Sequence, residues 1–60
     1  MLIRIAVVDD EVVVCRRLSL ALSRDGYEVE AYTSGHAFLE RMKEQPFDVV
    51  FCDLRLPDLS

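Results

Sequence analysis

Sixty residues, 52% of them hydrophobic, carry a net charge of −4 and only two cysteines, Cys15 and Cys52. That balance excludes a basic nucleic-acid-binding stripe, a disulfide-stapled secreted scaffold and a membrane span of ~20 apolar residues. A chain this short buries only about 60% of the surface its unfolded form exposes, so such apolar richness reads as part of a larger core.

Residues 2–8 are continuously apolar apart from Arg4, which is the pattern of a buried parallel strand. The strand ends at Asp9 and Asp10. Asp10 is expected to cap a helix running to about Arg24, with Glu11 in its first turn. Val14, Leu18, Ala21 and Leu22 form one apolar stripe at helical spacing, while Val12-Val13-Val14 is a local conflict because β-branched residues lose rotamer freedom in helices. Arg16, Arg17 and Arg24 read as a solvated face. Gly26 suits the position just past the helix end. Residues 27–32, Tyr-Glu-Val-Glu-Ala-Tyr, alternate at period two and predict an edge strand whose wet face carries Glu28 and Glu30. Thr33 or Ser34 then caps a second helix that turns Phe38, Leu39 and Met42 toward the core and Glu40, Arg41, Lys43 and Glu44 toward water. Gln45-Pro46 stops it. Phe47 to Cys52 is a third strand, nearly all apolar, ending at Asp53, and residues 54–60 are loop.

Strand, helix, strand, helix, strand implies an α/β fold with a parallel sheet and helical crossovers. The two most apolar strands, one and three, belong in the middle and the amphipathic second strand at an edge. The sheet order is therefore 2-1-3, with right-handed crossovers placing the helices on opposite faces. The gap between strands one and three becomes the topological switch point, outside whose carboxyl strand ends ligands bind in such sheets. Asp9, Asp10 and Asp53 occupy those ends. Adjacent strands lie about 4.8 Å apart, and like charges that close repel unless a cation intervenes. An oxygen-rich, partly solvated cluster suits Mg²⁺, and a carboxylate beside that ion can act as a nucleophile toward phosphorus.

Val7-Val8-Asp9-Asp10-Glu11, Gly26-Tyr27, Ser34-Gly35 and the run from Phe47 through Asp53 to Pro57 together resemble the receiver domain of bacterial two-component response regulators, across essentially the whole chain. The resemblance implies a flavodoxin-like domain in which Asp53 accepts a phosphoryl group from a histidine kinase. It further implies that Asp10, Asp53 and the backbone carbonyl of Arg55 ligate Mg²⁺, that Asp9 acts through water, and that Pro57 shapes the following loop. Receiver domains carry two further strands, with a Ser/Thr and a Lys at the phosphoryl group, so residues 1–60 are expected to be a truncated receiver domain, its first three strands and two helices. Such a fragment is a cytoplasmic signalling module rather than an enzyme, with impaired activity. The alternative is a non-signalling fragment that self-assembles into a homodimer or higher oligomer through an open strand-three edge. A haloacid-dehalogenase-like hydrolase is disfavoured, because Asp9-Asp10 are adjacent rather than spaced Asp-x-Asp and Arg55 stands two residues after Asp53. His36 reads as an exposed helix residue and Cys52 as a buried strand thiol.

Overall fold

The computed structural model describes residues 2–53. In chain order it contains β1 (Arg4–Val8), α1 (Val12–Arg24), β2 (Glu28–Tyr32), α2 (Gly35–Glu44) and β3 (Val49–Cys52). The three strands are parallel, in the order β2-β1-β3, as the patterning predicts. Central β1 is the reason: Ile5, Ala6, Val7 and Val8 are at most 3% exposed, so only a strand covered on both faces accommodates them. No helix among the described residues is long and apolar enough to cross a membrane.

Alternation along β1 divides the core. Ala6 and Val8 face α2, where they pack with Phe38, Tyr32 and Phe47. The Phe38 ring lies 6.4 Å from that of Tyr32 and 5.9 Å from that of Phe47, tilted spacings favourable for aromatic pairs. Val7 points the other way and shares a cleft with Leu18 of α1 and Phe51 of β3.

Local chemistry sets the element ends. The Ser34 hydroxyl accepts from the Ala37 backbone N–H and caps α2. After α1, Gly26 adopts φ +94°, a left-handed conformation that costs glycine little. Asp10 does not cap α1. The capping position is Glu11, without a side-chain cap, and it is Asp9 Oδ1 that accepts from the Glu11 N–H at 2.9 Å. The shift follows from Asp9 continuing the β ladder, which aims its short side chain at the N–H two residues on. The valine conflict resolves by exposure: Val12 and Val13 lie at 57% and 61% exposure, and the helix buries Cys15 instead. Ala21 of the expected stripe is exposed, while Val14, Leu18 and Leu22 are half-buried.

Among the described residues β3 lies at the edge that the order 2-1-3 gives it, with all four of its residues exposed although its apolar run reads as buried. The reason is that it pairs with β1 alone and neither helix packs on it. Cys52 is accordingly exposed rather than buried. On α2 only Phe38 reaches the core; Leu39 and Met42 remain 42% and 41% exposed. Residues 47 and 48 precede β3 rather than belong to it. Asp48 instead ties the strand starts together, its carboxylate accepting from the Arg4 N–H at 2.8 Å and its own N–H donating to the Arg4 carbonyl at 2.8 Å.

The expected wet face of β2 holds at Glu28, which is exposed, and fails at Glu30. Glu30 is half-buried, because its face of the sheet is the one α2 covers. Its carboxylate accepts from Arg41 (2.9 and 3.1 Å), from Arg4 (3.3 Å) and from the Tyr32 hydroxyl (2.6 Å). Arg4 also pairs with Glu28 at 2.9 Å and lies over the Phe47 ring at 4.8 Å. The Arg41 guanidinium and the Tyr32 hydroxyl hold the Glu30 carboxyl at a pKa of about 2. Arg41, read from the sequence as a water-facing residue, is thus the ion-pair anchor of α2 on the sheet.

Candidate functional site

The acidic site is built by the ladder. Ile5 to Val8 register with Val49 to Cys52, so the next positions, Asp9 and Asp53, leave the sheet side by side. The Asp53 N–H donates to the Val8 carbonyl at 2.9 Å and the Asp9 N–H to the Tyr32 carbonyl at 3.0 Å. These bonds carry the sheet one residue past each strand and fix both backbones at its C-terminal edge. Asp10 follows in the turn into α1.

One carboxylate oxygen from each of Asp9, Asp10 and Asp53 falls within 4.8 Å of the other two. Asp9 and Asp53 are half-buried and Asp10 is exposed. Two carboxylates at that separation repel by about 1 kcal/mol in water and by more where solvent is partly excluded. Beside them lies a cleft of about 310 Å³ walled by Val7, Val8, Leu18, Phe51 and Cys52, with Asp9 and Asp53 at its polar end. The donor set is all carboxylate oxygen, of the hard kind that Mg²⁺ takes together with waters and phosphate oxygens, so the residues present fit that ion.

All three aspartates singled out in the sequence are therefore brought together. Arg55, expected to contribute its backbone carbonyl, and Pro57 lie outside the described residues. His36 is exposed on α2, as expected, and is not part of the acidic cluster.

One neighbour escaped sequence reasoning. Cys15 is buried in the first turns of α1, and its thiol donates to the Asp9 carbonyl at 3.2 Å and lies 3.7 Å from the Tyr32 carbonyl. Burial pushes its pKa up, with the nearby Asp9 and Asp10 charges adding to the effect, so the sulfur keeps its proton and remains a donor. The only signal in the sequence is its place six residues after Asp9, which on a helix returning over the strand end brings the side chain beneath that residue.

Comparison with known proteins agrees with this geometry. The family described as "Response regulator receiver domain" matches residues 5–60. Among curated proteins, the chain is 42% identical over 58 residues to the transcriptional regulatory protein ZraR of Escherichia coli K12, covering 97% of this chain and 13% of that protein. It is 41% identical over 56 residues to the transcriptional regulatory protein KdpE of Mycobacterium tuberculosis H37Rv (93% and 25%). To the TorCAD operon transcriptional regulatory protein TorR of Escherichia coli O157:H7 it is 39% identical over 54 residues (90% and 24%). The chain thus spans a quarter or less of the length of these relatives. No solved structure matches significantly. With its sheet order, its acidic edge and this match over nearly its whole length, the chain belongs to the response regulator receiver domain family.

Proposed function

We propose that Asp53 is the phosphoacceptor of a two-component signalling pathway, taking its phosphoryl group from a histidine kinase. The observation that carries this reading is the convergence of Asp9, Asp10 and Asp53 at the C-terminal edge of adjacent parallel strands, in a chain of the receiver family. In the transfer, the phosphorus–nitrogen bond of a phosphohistidine breaks as a phosphorus–oxygen bond forms to one Asp53 oxygen, and the departing imidazole takes up a proton. Asp53 is anchored for in-line attack by its N–H on the Val8 carbonyl, and Phe51, Cys52 and Val7 wall one side of the approach.

Asp10 and Asp53 would hold Mg²⁺ directly and Asp9 through water. When bound, that ion neutralises the carboxylates and the transferring group. The chain serves as an acceptor rather than a turnover enzyme. By analogy with the relatives named as transcriptional regulators, it is the receiving part of a cytoplasmic regulator of transcription. The test is incubation with acetyl phosphate and Mg²⁺ followed by intact-mass analysis: one phosphoryl adduct on the native chain and none on Asp53→Asn supports the reading. An adduct that survives Asp53→Asn refutes it.

A second reading, self-association, is favoured by β3. Val49, Val50 and Phe51 are 40–45% exposed, and exposed apolar edges template pairing with another chain. Two copies joining β3 to β3 would form a homodimer around a two-fold axis. A concentration-independent monomer in sedimentation would eliminate it.

A further inference from the structure

The Asp9 carbonyl stands where the sheet ends. The Val8 carbonyl takes the Asp53 N–H and the Tyr32 carbonyl takes the Asp9 N–H, so the Asp9 carbonyl is the first acceptor of the β1 segment beyond the ladder. Backbone acceptors out of full contact with water need a donor. The donor the structure gives it is the Cys15 thiol, 3.2 Å away, on a side chain only 5% exposed. The same sulfur lies 3.7 Å from the Tyr32 carbonyl, so it sits across the seam between β1 and β2 just below the acidic turn.

We propose that Cys15 is a positioning residue for the acidic site: by donating to the Asp9 carbonyl, its thiol fixes the peptide plane between Asp9 and Asp10, and with it the direction in which Asp10 presents its carboxylate. This inference rests on the reading of the three aspartates as the acceptor site and deepens it. A peptide unit is planar, so pinning its oxygen leaves the adjoining Asp10 Cα a single placement relative to the strand end. From the other side Asp9 Oδ1 holds the Glu11 N–H at 2.9 Å, so the turn is clamped at both of its peptides, one by the thiol and one by a carboxylate. The Asp9 clamp uses one carboxylate oxygen of that residue, Oδ1. The Cys15 clamp uses none of the cluster's oxygens. A cysteine suits the position because its side chain is small and tolerates an apolar wall, yet still carries a weak donor. A valine of similar bulk fills the space without donating.

The test compares the full chain with Cys15→Ser, Cys15→Val and Cys15→Ala. It reads amide hydrogen exchange at residues 9–11 and Mg²⁺ affinity by calorimetry. Groups that orient a metal's ligands typically change its affinity by about 10–100-fold when lost, and a thiol is a weak donor. The expected loss of Mg²⁺ affinity in the valine and alanine variants is therefore at the low end, about tenfold. The Asp9 and Glu11 amides exchange faster in the same two variants while those of Ile5 to Val7 do not change, and serine, which keeps a donor, restores both readouts. The proposal is overturned if valine matches the native chain in exchange at residues 9–11, or if serine fails along with valine and alanine, since the side chain then acts through packing alone. Should the native chain bind no Mg²⁺, the acceptor reading falls, while the exchange comparison still decides the role of Cys15. If valine is too bulky to fold, the alanine variant supplies the donor-free arm.

Discussion

The two ends of this small sheet handle charge in opposite ways. From its start, where Arg4 lies about 16 Å before Asp9 along β1 at strand rise, Glu28, Arg4, Glu30 and Arg41 alternate in sign and each meets the next at 2.9–3.3 Å. At its C-terminal edge, three carboxylates of one sign share a space under 5 Å across. The first arrangement is what a half-buried charge requires for stability, since each ion is paired and hydrogen-bonded. The second gathers three charges of one sign, which repel one another and which a divalent cation would neutralise. Opposite charges interleaved mark the cluster that holds the fold; like charges gathered mark the one proposed for function.

The sharpest way to break this comparison is to substitute one acid in each. Asp53→Asn removes the proposed nucleophile, and phosphoryl incorporation from acetyl phosphate drops to background by intact mass. An adduct of equal yield on Asp53→Asn would detach the acidic edge from phosphoryl transfer. Glu30→Gln behaves in reverse: hydrogen bonds to a charged partner contribute about 1.5–3 kcal/mol when buried and less when solvent screens them, so a loss of about 1–2 kcal/mol is expected by urea unfolding, with phosphoryl incorporation retained.

Acidity sharpens the second of these. The Glu30 carboxyl titrates at about 2 in the fold against an ordinary value of 4.5. A folded pKa below the unfolded one contributes stability that is fully present above the unfolded value and is lost as pH falls toward the folded one. The gap in stability between the native chain and Glu30→Gln therefore holds at pH 6–7 and narrows as pH drops from about 4.5 toward about 2. A gap independent of pH across that window would mean that the carboxylate's charge is not what stabilises the α2 contact.

The proposed Mg²⁺ site lies at the opposite end. At ten times its dissociation constant, a ligand that binds only the folded state stabilises by about 1.4 kcal/mol. That gain should appear as a rise in thermal midpoint, reverse with EDTA and be missing in Asp10→Asn. Equal stabilisation of Asp10→Asn would detach the ion from the acidic edge. The smallest effect belongs to Lys43→Ala. Its pair with Glu40 lies on the surface of α2, with side chains 72% and 55% exposed, and such pairs contribute little. An unchanged midpoint there, beside the drop in Glu30→Gln, isolates burial as the factor that gives the Glu30 network its weight.

Much of the acidic site was legible because it depends on short-range pattern. A strand that is apolar at every position declares itself, and the residue that ends it is read directly; Asp9 and Asp53 follow from Val8 and Cys52. The Glu30 network was not legible, because Glu28 and Glu30 alternate just as a solvated edge does. Only the lie of α2 turns that face inward and brings Arg41, eleven residues on, within 2.9 Å of Glu30. Arg4 was a missed clue: a single cation in an apolar strand needs an anion in register with it, and Glu28 is that residue.

By itself, then, the sequence determined the succession of elements, the central place of β1, the order of the strands and the meeting of three aspartates, because hydrophobic period and crossover handedness act locally or through topology. Tertiary structure decided which aspartate braces the first helix, which face of β2 stays dry, that Cys15 reaches beneath Asp9, and that Cys52, Leu39 and Met42 stay in solvent. Those outcomes depend on what lies opposite each side chain, and a linear pattern of apolar and polar residues does not specify the surface that faces it.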